Sequence, residues 1–224
     1  MESKVVNKQI RSEIRPLLKE YGFSRFTGRN SWRYRNDCIE VINFQSFNSY
    51  NAEVIGCTTY SFSVNLGRYS TDIPDQNGTE HIKIKDGQLL PEEYACQFRG
   101  GLERQFYQQE LPRRDIWYID PKGTYLEKAI HDVRMSILRD AIPWFDRFLD
   151  PSEVLRLLRQ DDEDMGKLWG FGRNPSPMRN YLIGYQALVT GDKALALEHL
   201  RKVIESGRFK SVAKNIEHEI SKLA

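Results

Sequence analysis

The chain has 224 residues, room for one full-sized domain and a smaller appendage. Lys and Arg total 33 against 31 Asp and Glu, a net charge of +2, so no global attraction for nucleic acid or an anionic membrane is expected. No run of about 18 apolar residues occurs to span a membrane, and "MESKVVNKQIRSEIRPLLKE" lacks the apolar core of a secretory signal.

Residues 3–21 read as an amphipathic helix, with Val6, Ile10, Ile14, Leu17, Leu18 and Tyr21 recurring at spacings of three and four. Pro16 should kink or break it, and Gly22 should stop it. Strands follow. In "SWRYRND", Trp32 and Tyr34 share one face, Arg33 and Arg35 the other. "CIEVINFQSF" carries Asn43 and Gln45 on one face of an otherwise apolar run. "NSYNAEVIGC" reads as a polar loop, and "YSFSVNLG" alternates cleanly, with Asn65 on its polar side. Short connections favour antiparallel pairing. "HIKIKDGQLL" reads as a short strand or extended arm. "EYACQFRGGL" reads as a strand bent or ended by Gly100 and Gly101, and "DIWYID" as the last strand.

From Thr124 the pattern is helical. Pro143 should bend or split the first helix, and Asp150 with Pro151 marks the start of the next. The charged, Gly- and Pro-rich stretch 161–177 reads as a linker between a 1–160 domain and a 178–224 helical segment of two or three helices. The expected fold class is α+β: a curved antiparallel sheet, an N-terminal helix, packed helices and a C-terminal helical hairpin.

Cys38, Cys57 and Cys96 lack C-x-x-C spacing, as expected of reduced thiols in a cytoplasm. Asn77, Gly78 and Thr79 read as a polar turn, and the acidic run 161–164 as a solvated loop. His81, His131, His199 and His218 are scattered without metal-ligand spacing, so no metal, cofactor or catalytic set is expected.

The candidate site is a polar sheet face shared by Arg33, Arg35, Asn43, Gln45, Asn65, Gln97 and Arg99. Guanidiniums and amides together suit a planar anion, a base or a peptide carboxylate, and residues 22–120 hold nine Arg against two Lys. The same residues could equally form amide ladders and cross-strand Arg–acid pairs on a solvated face. A register slip of one residue would scatter the set. Gly100 and Gly101 beside Arg99 could admit a ligand close to the backbone or mark a strand exit.

The ordered set "GFSRFTGRNSWRYR", "IEVINFQSF", "FSVNLG", "CQFRGGL" and "DIWYID", continued by "IPWFDRFLD", resembles the bacterial domain-of-unknown-function family DUF4304 over about residues 5–160. The resemblance marks Asn43, Gln45, Asn65, Cys96 and Arg99 as family-typical positions and implies no activity. "YLIGYQALVTGDKALALEHLRKVIES" is similar to a single tetratricopeptide helix pair at 180–206; one pair cannot build the concave surface of such arrays. The functional expectation is a bacterial, cytoplasmic, non-enzymatic module that binds a protein partner or a small anion, with no role at nucleic acid or membrane. The rival is an enzyme acting on a phosphate or nucleotide substrate, with Arg33, Arg35 and Arg99 as an anion clamp.

Overall fold

A computed structural model describes residues 3–75, 82–160, 168–169 and 176–223. Its N-terminal helix has three consecutive parts: α1 (Ser3–Gln9), a π turn (Ile10–Ile14) and α2 (Arg15–Glu20). The wide turn accommodates the proline. Pro16 has no N–H to give the helix, and the Arg15 N–H bonds to the carbonyl of Ile10, five residues back. The helix therefore continues past Pro16 with Val6, Ile10, Ile14, Leu17 and Leu18 all buried.

Strands β1 (Arg25–Phe26), β2 (Asn30–Tyr34) and β3 (Cys38–Ser46) follow. The expected polar loop after β3 contains a helix, α3 (Ser49–Ile55). The Asn48 side chain caps it by accepting from the Asn51 N–H, and Gly56, at φ 79°, ends it. Next come β4 (Phe62–Ser70), a hairpin of β5 (Lys83–Lys85) and β6 (Gln88–Leu90), and β7 (Phe98–Gly101). The hairpin stands where a short strand or extended arm was expected, because Asp86 and Gly87 both take positive φ, the geometry of a tight two-residue turn. "EYA" is a 3₁₀ turn rather than strand, and β7 runs in regular ladder through Gly100 and ends at Gly101. Among the described residues "DIWYID" contributes only a bridge between Trp117 and Phe62. The Gln108 side chain occupies the N–H and C=O of Tyr118, and the Ser61 hydroxyl accepts from Ile119, so no strand partner is needed there.

Helices α4 (Leu126–Ser136) and α5 (Ile142–Asp146) run on through a second π turn (Ile137–Ala141), again just ahead of a proline, Pro143. Helix α6 (Pro151–Arg159) is capped by Asp150. Strand β8 (Leu168–Trp169) lies in the stretch read as linker. Three helices close the chain: α7 (Pro177–Thr190), α8 (Lys193–Glu205) and α9 (Ala213–Leu223). The turn at Asn77, Gly78 and Thr79, His81 and the acidic run 161–164 lie outside the described residues.

The main sheet is antiparallel throughout, in the order β1-β2-β3-β4-β7-β8. One face carries Ile42, Phe44, Val64, Leu66 and Phe98 into the large core with the N-terminal helix and the Trp144, Phe145 and Phe148 cluster. Each such side chain contributes about 1.5–3 kcal/mol by leaving water. The opposite face carries Trp32, Ile39, Val41 and Tyr69 into a second, smaller core beneath residues 82–96. The central strand β3 is thus covered on both sides at its N-terminal end.

The last helices join the large core through Tyr181, Leu182, Ile183, Leu200 and Ile216. Gly184 allows their close approach, since a Cβ there would stand 2.6 Å from a Leu200 methyl. Buried Arg179 donates to the carbonyls of Leu158 and Gln160, at the negative end of α6.

Candidate functional site

The register decides which candidate residues meet. Asn43 stands opposite both Asn30 and Asn65, and Gly67 opposite both Val41 and Arg99. Asn30, Asn43, Gln45, Asn65 and Arg99 therefore share the face of the smaller core, at the end where that core stops. Asn43 donates to Asn30, and Asn30 donates to Glu92. Asn65 donates to Gln45 at 3.1 Å. Part of the amide set is thus a ladder spent within the sheet.

Residues 82–96 lie over the rest of this face, held by Trp32 donating to the Pro91 carbonyl at 2.8 Å and Tyr34 to that of Leu89 at 3.0 Å. Their far end carries Glu92, Glu93 and Tyr94. Arg99 donates to buried Glu93 at 2.7 Å. Burial pushes the Glu93 carboxyl above its ordinary range, and the Arg99 bond and charge pull it back only in part. Between this wall and the sheet lies an open depression of about 270 Å³, floored by Arg29, Asn43, Gln45 and Ser46 and walled by Glu92, Glu93 and Tyr94. Tyr94 is 69% exposed.

Arg33 lies on the opposite face, correcting its expected place beside Asn43. Trp32 and Tyr34 turn toward the smaller core, so Arg33 turns inward, opposite Glu40. Glu40, fully buried, accepts from Arg33 and from Arg35, the latter at 3.0 Å. The Arg33 guanidinium sits between the rings of Phe23 and Phe145, 5.1 and 5.6 Å from their centroids. Arg35 also reaches Asp146 at 3.5 Å. The three arginines of the expected clamp do not converge. Gln97 departs in another way: its amide pairs with the N–H and C=O of Ser70 and the carbonyl of Ile73, extending the ladder past the end of β4. With Arg99 it borders a second cavity of about 90 Å³, beside Met178 and Tyr181, which shares Tyr94 with the depression.

Asn30, Glu92 and Glu93 were not legible as site residues. Asn30 becomes visible only through its register with Asn43, and the two glutamates only once "PEEYA" is seen to turn over the sheet. Cys38 and Cys96 are buried, and desolvation raises both thiols, Cys38 to about 12. His199 contacts Asn180 at 2.8 Å, and burial, aided by Lys202, lowers its pKa. Among the described residues no group of three or more His, Cys, Asp or Glu could hold a metal ion, and no helix is long and apolar enough to cross a membrane.

Residues 14–147 match the family described as "Domain of unknown function (DUF4304)". The chain belongs to this family. The DUF4304 match spans more than half the chain and includes the sheet from β1 to β7, the depression and the buried Arg33–Glu40 pair. Helices α6 to α9 lie beyond it. No curated protein and no solved structure gives a significant match.

Proposed function

We propose that this DUF4304 protein is a non-enzymatic binding module of the bacterial cytoplasm, and that its binding surface is the depression at the amide-bearing end of the sheet. The observation that carries the reading is the lining itself. Arg29, Asn43, Gln45, Ser46, Glu92 and Glu93 bring donors and acceptors to one open concavity on a rigid sheet. Buried free thiols at Cys38 and Cys96, held protonated, support packing roles in a reducing compartment rather than nucleophilic ones. Pairing of Glu40 with Arg33 and Arg35 removes two charges from the anion-clamp reading. Glu92 and Glu93 add negative charge where an anion would sit.

The test compares what wild type and a Gln45→Ala/Tyr94→Ala variant retain from a lysate of the host bacterium. Both side chains are exposed, so the fold should survive their loss. A protein or small molecule held by wild type, lost by the variant and recovered chemically unaltered fits the proposal. Identical bound sets, or a ligand recovered as product, contradict it.

A further inference from the structure

We infer that the depression takes a neutral saccharide of one or two rings, an assignment that rests on the reading of this depression as the binding surface. The hydrogen-bonding capacity left over within it points to that class. Asn43 spends its amide nitrogen on Asn30, leaving its oxygen. Gln45 spends its oxygen on Asn65, leaving its nitrogen. Glu92 spends one oxygen on Asn30, leaving the other. Arg29 gives one nitrogen to the Phe44 carbonyl and keeps the rest of its fork. Among the described residues none of these remaining atoms has a protein partner.

The remainder is a mixture of donors and acceptors on planar groups. A sugar hydroxyl both donates and accepts, and neighbouring hydroxyls match planar amides and carboxylates two at a time. The charge balance opposes an anion: Arg29 shares the lining with Glu92, and Arg99 is already paired with Glu93. An apolar ligand is opposed by the lining, in which Tyr94 is the one large apolar surface. That exposed ring offers an apolar face for the C–H groups of a sugar to pack against. Peptide capture by strand addition would find only the short free side of Gln45 and Ser46, where β3 runs past its pairing with β2, and the Arg29 side chain already takes the Phe44 carbonyl next to it. The volume of about 270 Å³ is just below the ~300 Å³ where sites for drug-sized molecules begin.

The experiment is a nitrogen-15 NMR titration of the full chain with glucose, galactose, mannose, N-acetylglucosamine, maltose and cellobiose at millimolar concentration, with inorganic phosphate and triglycine as parallel probes. At least one sugar should shift the side-chain amide signals of Asn43 and Gln45. Raising the salt concentration should leave the affinity unchanged, and Tyr94→Ala or Gln45→Ala should each weaken it about tenfold. Shifts at these amides with phosphate or triglycine and none with sugars overturn the saccharide and keep the binding surface. No shift with any probe, or a sugar response that both variants retain, overturns the saccharide and removes support for the surface.

Discussion

Gly67 lies directly under Cys96: a Cβ on Gly67 would stand 2.7 Å from the Cys96 sulfur and 3.2 Å from the Glu93 Cα. The bare strand lets residues 93–96 lie against the sheet, and this contact sets the height of the Glu92–Tyr94 wall. Gly67→Ala is expected to destabilise the protein by about 1–3 kcal/mol through overpacking. Urea unfolding measures the loss, and adding Cys96→Ala should recover part of it.

Glu40 is the single acid between Arg33 and Arg35 on the core side. Glu40→Gln leaves the buried Arg33 charge without its carboxylate and should cost about 3–5 kcal/mol. The double variant Glu40→Leu/Arg33→Met removes both charges and should cost less than Glu40→Gln alone. Equilibrium denaturation of the two variants checks the order.

Cys38 ties stability to alkaline pH. Burial raises its thiol from 9.0 to about 12, with the Arg68 charge acting against the shift. The unfolded chain releases this proton at the ordinary value while the native chain keeps it. The contribution is therefore full below 9.0 and lost as pH rises through about 12. Cys38→Ala should flatten that part of the stability–pH curve, measured by denaturation at stepped pH. At neutral pH, half-buried Cys57 should react first with a thiol reagent, with Cys38 and Cys96 waiting for unfolding.

Arg179 joins α7 to the end of α6 through two carbonyls. A charged donor bond is worth about 1.5–3 kcal/mol, so Arg179→Met should cost on the order of 3 kcal/mol. Thermal unfolding measures the cost, and hydrogen exchange should quicken first in α6 and α7.

Much of the architecture was legible because it rests on local chemistry. The buried row of the N-terminal helix, the Asp150–Pro151 start of α6 and the alternation of β4 each carry their own signal. What local pattern could not supply was competition between sites. Arg33 points inward because Trp32 and Tyr34 have a second core to fill, and Glu40 makes that tolerable. "DIWYID" has strand composition, yet side chains from Gln108 and Ser61 take its backbone groups. Helix α3 was hidden because its seven residues bury only Ala52, leaving little periodicity to read. Of the seven candidate residues, Asn43 and Gln45 line the depression, while Arg29, Glu92 and Tyr94 enter it from segments whose position depends on tertiary contacts.

The most direct test of the binding surface is a crystal structure of the protein purified with whatever it retains from its host cell. Bound density in the depression, in contact with Gln45 and Glu92, is the predicted result. A retained ligand or partner seated elsewhere, such as the smaller cavity beside Met178 and Tyr181, with the depression left to solvent, would contradict it.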